Sequence, residues 1–126
     1  MRALIQRTFR SKLFVDGQLI SEIPSGLTIF LGIQKGDTEE QADYLARKIA
    51  KLRVFRDDND KMNLDITQAG GEILLVSQFS LAGTLGKGTG NRPDFGHAEL
   101  PDRARELYVR VTEKIRQQGI VVKNGV

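Results

Sequence analysis

Gly26-Leu27-Thr28-Ile29-Phe30-Leu31-Gly32-Ile33 is a nearly unbroken apolar run, rich in β-branched side chains. A run of this length without polar alternation reads as a strand buried on both faces. The sequence before it is made of shorter strand segments. Ala3 to Gln6 can form an opening strand, and Leu13–Val15 and Gln18–Ile23 flank Asp16-Gly17. Asp-Gly is a strong two-residue hairpin signal, because glycine takes positive φ without a Cβ clash. These two segments are therefore expected to pair.

After the buried run the period changes. Ala42, Leu45, Ile49 and Leu52 fall on one face at helical spacing. Asp37 is placed to cap this helix, with Glu40 three residues on in capping-box spacing. Its early acids, Glu39 and Glu40, and its late bases, Arg47, Lys48, Lys51 and Arg53, suit the helix dipole. Most of these charges read as a solvated face, although the basic end can also meet phosphates. Val54 to Arg56 suggests a short strand, Asp57-Asp58-Asn59-Asp60 a turn, and Glu72 to Phe79 a further strand after Gly70-Gly71. The acidic turn is a poor calcium loop, since Met62 and Gln68 stand where glycine and glutamate are required. Ala82 to Gly96 is a glycine-rich loop. Pro101 opens a second helix with the stripe Ala104, Leu107, Val111 and Ile115, and Gly119 can end it in a left-handed cap. Ile120-Val121-Val122 looks like the last strand.

Strands in runs, separated by two main helices, favour an α+β fold over a doubly wound one. The expected sheet or barrel is mixed and largely antiparallel. With 126 residues the chain should form one domain, 1–126. Helices on one face leave the other needing cover, which a second subunit can supply.

Without cysteine, thiol nucleophiles and thiolate metal sites are excluded. The N-terminus lacks a signal-peptide core, and no stretch approaches the ~20 apolar residues of a membrane helix, so a cytoplasmic location and no membrane partner are expected. The net charge of +3 mildly favours anionic partners.

The stretch most able to carry chemistry is Val76-Ser77-Gln78-Phe79-Ser80-Leu81, where a strand runs into the glycine-rich loop. Two hydroxyls and an amide together can position a carbonyl and stabilise an oxyanion, with help from backbone N–H groups. On physical grounds alone, a strand end with ordinary polar side chains is the plainer reading. The one histidine, His97, lies well downstream, so no Ser–His–Asp spacing is readable. The segment Gly83 to Gly90, with Lys87, can cradle a phosphate or simply form a surface hairpin; it is not a Walker loop. Asn91-Arg92-Pro93-Asp94-Phe95 offers a cation and an aromatic ring, able to grip a nucleotide or to pack the loop on the core. No His, Cys or carboxylate cluster has metal-ligand spacing, so neither metal nor cofactor is expected.

Ordered pieces along the whole chain resemble the D-aminoacyl-tRNA deacylases. They are Met1-Arg2-Ala3-Leu4-Ile5-Gln6-Arg7, Gly26-Leu27, Leu31-Gly32, Lys35-Gly36-Asp37-Thr38-Glu39-Glu40 and Leu52-Arg53-Val54-Phe55. Further on come Lys61-Met62-Asn63-Leu64, Gly71-Glu72-Ile73-Leu74, Ser77-Gln78-Phe79-Ser80-Leu81 and Arg92-Pro93-Asp94-Phe95. The resemblance implies a homodimer with sites at the subunit interface. It implies hydrolysis of D-aminoacyl-tRNA, and of glycyl-tRNA mischarged on alanine tRNA, with tRNA rather than DNA as partner. It implies a site lined by Ser77, Gln78, Phe79, Ser80 and Leu81, with catalysis assigned to Ser77, Gln78 and Ser80. Arg7 and Asn91, Arg92, Pro93 and Phe95 are expected near the terminal adenosine or the rim. Much of the work is expected of backbone groups and the RNA's own 2′-hydroxyl.

Two departures stand out. Ser80 replaces the family's usual threonine, keeping the hydroxyl and losing the methyl. The family's C-terminal strand also carries a cis Gly-Pro motif that excludes L-amino acids, whereas Gly125-Val126 ends this sequence, and none of Pro24, Pro93 and Pro101 follows a glycine. The resemblance therefore implies a C-terminally shortened member. Its alternatives are a catalytically impaired tRNA-binding module or a dimerisation remnant.

Overall fold

The computed structural model describes residues 1–86, 88 and 90–125. Lys87 of the glycine-rich loop lies outside the described residues. Four strands form the main sheet: β1 (Arg2–Thr8), β4 (Gly26–Gly32), β7 (Glu72–Ser77) and β8 (Val122–Asn124), in the order β1-β4-β7-β8. β1 runs antiparallel to β4, while β4–β7 and β7–β8 are parallel. Two antiparallel hairpins complete the strands, β2 (Ser11–Val15) with β3 (Gln18–Ile23), and β5 (Phe55–Arg56) with β6 (Met62–Leu64). The helices are α1 (Glu39–Lys51), α2 (Ile66–Ala69) and α3 (Pro101–Arg116), with one 3₁₀ turn, Phe79–Ala82. This is the expected α+β fold with mixed, largely antiparallel pairing.

The buried run 26–33 is β4, hydrogen-bonded on both sides, with Leu27, Ile29 and Leu31 fully buried. These residues share one sheet face with Ile73, Leu75 and Val122, and that face packs on Ala42, Ala46, Ile49, Leu107, Val111 and Ile115 of α1 and α3. The two helices run parallel, since Arg103 pairs with Glu39, Arg110 with Asp43, and the Gln118 side chain donates to the Ala46 carbonyl. On the opposite face the β2–β3 hairpin packs against β7 and β8, burying Ile23 and Leu74. Ser21 Oγ donates to the Asn124 carbonyl at 2.6 Å, tying the hairpin to β8. Asp16 and Gly17 have φ of 50° and 78°, the conformation expected of a two-residue hairpin turn.

Several local expectations are corrected. The N-cap of α1 is Thr38, not Asp37, and the capping-box partner is Gln41, whose Oε1 accepts from the Thr38 N–H at 2.7 Å. Asp37 instead accepts from the Gln34 N–H at 2.8 Å and pairs with the N-terminal ammonium at 2.7 Å. The buried stripe of α1 runs through Ala46 and Ala50, and Leu52 falls beyond the helix and is exposed. β7 ends at Ser77, two residues before Phe79, because the chain turns there into the 3₁₀ segment. β8 begins two residues late. Ile120 is buried and the Val121 carbonyl already accepts from the Ile73 N–H, but continuous pairing starts at Val122. β6 and α2 were unanticipated. α2 is capped by Asp65, which accepts from the Gln68 N–H, and ended by Gly70 at φ 70°.

Candidate active site

Three local constraints place the strand end. Ser77 lies opposite Leu31 in the β4–β7 pairing, and the Gln78 N–H donates to the Leu31 carbonyl at 2.8 Å. Gly32 leaves room for the following turn: a Cβ there would stand 2.8 Å from that of Leu81. Arg2, on the neighbouring strand, donates from Nη1 to the Leu81 carbonyl at 3.0 Å. The chain is thus held where β7 gives way to the 3₁₀ turn.

That turn creates donors. The Leu81 N–H reaches the Gln78 carbonyl and the Gly83 N–H the Ser80 carbonyl, but the amides of Phe79 and Ser80 have no acceptor among the described residues. First N–H groups of a helical turn are left over by its own geometry. Beside them Gln78 Nε2 donates to Ser80 Oγ at 2.6 Å, so the serine oxygen accepts there and its proton is free to be donated outward. Two backbone donors and one hydroxyl donor therefore stand at one strand end. This suits a carbonyl whose oxygen gains negative charge. Among the described residues no histidine or carboxylate is hydrogen-bonded to Ser77 or Ser80, so the arrangement suits stabilising charge rather than activating a serine nucleophile.

A cleft of about 500 Å³ opens alongside, lined by Ser77, Gln78 and Phe79 on one wall and by Glu99, Arg105 and Tyr108 among those on the other. Phe79 is 63% exposed and stacks edge-on against Phe95, with centroids 5.4 Å apart. Gly83 permits this, because a Cβ there would collide with the Phe95 ring. Thr84 and Asp94 exchange backbone hydrogen bonds at 2.8 Å, closing the loop that carries Phe95 back to the site. Tyr108 donates to the Leu75 carbonyl at 2.6 Å and accepts from Asn124 Nδ2, and burial pushes its hydroxyl above the ordinary tyrosine range.

The structure therefore brings together Ser77, Gln78, Phe79, Ser80 and Leu81, and adds Phe95. Asn91, Arg92 and Pro93 lie exposed on the returning loop. Arg7 is not brought to this strand end within one chain. It pairs with Leu27, four residues along β4 from Leu31, about 13 Å at ~3.3 Å per residue. There it donates to the Val54 carbonyl at 2.6 Å and lines a separate cavity of about 550 Å³ with Phe9, Phe55 and Arg56. His97 is exposed, and its carbonyl accepts from the Lys35 N–H. Arg2, Glu99, Arg105 and Tyr108 are site neighbours that sequence reading missed. The spacing Pro101, Ala104/Arg105, Tyr108 on one helix face was the available signal, but only the α3–β7 packing reveals what that face meets. Among the described residues no three His, Cys, Asp or Glu converge as metal ligands, and no helix is long and apolar enough to cross a membrane.

Comparison with known proteins identifies the family. The sequence model of the family described as "D-Tyr-tRNA(Tyr) deacylase" matches residues 4–126. The chain is 52% identical, over its full length and 84% of the relative's, to a protein from Persephonella marina named D-aminoacyl-tRNA deacylase. It is 45% identical, over its full length and 84% of the relative's, to one of the same name from Aquifex aeolicus. Among solved structures it resembles one titled "c-Myc DNA Unwinding Element Binding Protein", with a TM-score of 0.90, 35% identity, and coverage of 100% of this chain and 85% of that one. A match across nearly every residue, at these identities, shows that the chain belongs to the D-Tyr-tRNA(Tyr) deacylase family.

Proposed function

We propose that this protein hydrolyses the ester joining a D-amino acid to tRNA, and that of glycyl-tRNA mischarged on alanine tRNA, as quality control of translation in the cytoplasm. Family membership supports the reaction class, and its relatives carry the name D-aminoacyl-tRNA deacylase. The observation that carries the reading is the pair of unengaged amides at Phe79 and Ser80 beside the Gln78–Ser80 hydrogen bond. In the proposed step, water adds to the ester carbonyl carbon. The carbonyl oxygen takes up negative charge against the two amides. The bond to the ribose oxygen then breaks, and the proton lost by water passes to that leaving oxygen through the neighbouring 2′-hydroxyl. Free amino acid and intact tRNA result.

Ser77, Gln78 and Ser80 line the reacting carbonyl in this reading. Phe79, Leu81, Phe95 and the exposed Asn91, Arg92 and Pro93 form the surface for the terminal adenosine, with aromatic faces available to its base. Residues 1–126 act as one domain around a common core. A homodimer with sites at the subunit interface fits two features. Leu4, Phe14 and Leu19 remain at least half exposed on β1 and the β2–β3 hairpin. Arg7, remote from Ser77 within one chain, can then serve a site only across subunits. Incubation with D-tyrosyl-tRNA tests the reaction: one D-tyrosine should appear per tRNA consumed, with the 3′ adenosine intact. Retention of the ester with tRNA still retarded in a gel would mean binding without catalysis.

A further inference from the structure

The wall of the cleft facing the strand end carries a cation that ester hydrolysis leaves unused. Arg105 stands on α3 one turn after Pro101 and lines the cleft with Ser77, Gln78 and Phe79. The neighbouring arginines of α3 are committed: Arg103 to Glu39 and Glu106, and Arg110 to both carboxylate oxygens of Asp43. Arg105 has no ion pair or hydrogen bond among the described residues. The one acid on the same wall, Glu99, accepts from the Leu100 N–H at 2.7 Å and makes no ion pair with Arg105.

An exposed arginine alone is an ordinary solvated side chain. Its position separates this one from the rest, because long helical side chains lean toward the helix N-terminus, here the end of α3 that meets Ser77–Phe79. Any RNA whose 3′ ester reached Gln78 and Ser80 would bring one phosphodiester with it, on the 5′ side of the same nucleotide. A guanidinium is suited to that group, since its planar fork matches two phosphate oxygens. We infer that Arg105 is a substrate-positioning residue that binds the 5′-phosphate of the terminal nucleotide while its base lies against Phe79. The inference rests on the proposed function for its ligand but not for its test.

The test compares binding of adenosine 5′-monophosphate and of adenosine to the intact protein by titration calorimetry, without any hydrolysis. The wild type should bind the monophosphate about tenfold more tightly than adenosine, as a charge-assisted hydrogen bond provides, with the gap shrinking as salt rises. Arg105→Gln should abolish the gap while leaving adenosine affinity unchanged, and Arg105→Lys should restore part of it. Equal affinities for the two probes, no binding of the monophosphate, or a loss in Arg105→Gln that falls equally on both probes would each overturn the inference. The last of these would show that Arg105 only shapes the wall. Failure of the deacylase reading would look different: the wild type would prefer the monophosphate yet leave D-tyrosyl-tRNA intact. If both hold, Arg105→Gln raises KM for D-aminoacyl-tRNA and spares kcat.

Discussion

Ser80 and Gln78 are the side chains closest to the proposed chemistry, yet the free amides of Phe79 and Ser80 are backbone. The charge on the carbonyl oxygen should therefore survive loss of the serine hydroxyl. Ser80→Ala is expected to lower kcat by less than about tenfold, the worth of one neutral hydrogen bond, and Ser80→Thr to be nearly silent. Steady-state rates on D-aminoacyl-tRNA check this, and a loss of several hundredfold would assign the oxyanion to the side chain. Asn124 matters for a different reason. Its Nδ2 donates to Tyr108 Oη at 2.9 Å and to Thr112 Oγ1 at 3.0 Å, and Thr112 is buried. Asn124→Ala should cost about 1–3 kcal/mol in urea unfolding, the penalty for leaving partly buried polar groups without their partner. Only part of this site is visible in the sequence. The Ser77–Leu81 motif was legible, because polar groups at a strand end are chemically conspicuous. Arg2 and Arg105 were not, because what makes them neighbours of the site is strand order and helix docking.

At the scale of elements, the turn from β7 into the 3₁₀ segment decides whether the amides point the right way. Gly32→Ala tests that dependence, since the new Cβ would press on Leu81 at 2.8 Å. Overpacking of this kind costs about 1–3 kcal/mol and is relieved by shifting the turn. Activity should collapse while circular dichroism still reports the native fold. Full activity in Gly32→Ala would mean that the turn's position is not critical. In the sequence α1 and α3 are marked by apolar periodicity, β4 by an unbroken apolar run and the hairpin by Asp16-Gly17, so local pattern carries these elements. It failed where short polar bonds decide. Thr38 displaced Asp37 as the cap because Asp37 is drawn to the N-terminal ammonium, a contact between residues far apart in sequence. β6 and α2 are too short to show a period, and α2 is defined by the Asp65 cap and the left-handed Gly70 instead.

For the whole molecule, three carboxylates couple folding to pH. Asp43 is held below its ordinary range chiefly by its hydrogen bond from Arg110, Asp57 by the Lys61 N–H, and Glu39 by a backbone N–H of its own. A carboxyl depressed in the folded state stabilises the protein above its unfolded pKa and loses that contribution as pH falls through its folded pKa. Stability should thus be level from neutral pH down to about 5 and decline below that, as these groups begin to protonate in the unfolded chain. Thermal unfolding across that range checks the sign, and a decline starting near pH 6 would point to other groups. The central claim is catalytic, so its most direct test is hydrolysis of D-tyrosyl-tRNA and L-tyrosyl-tRNA, side by side, by the folded 126-residue protein. The account predicts loss of the D-ester well above the spontaneous rate, with the fate of the L-ester reporting how strictly this chain enforces chirality. D-tyrosyl-tRNA that persists at the spontaneous rate in the presence of folded protein would contradict it.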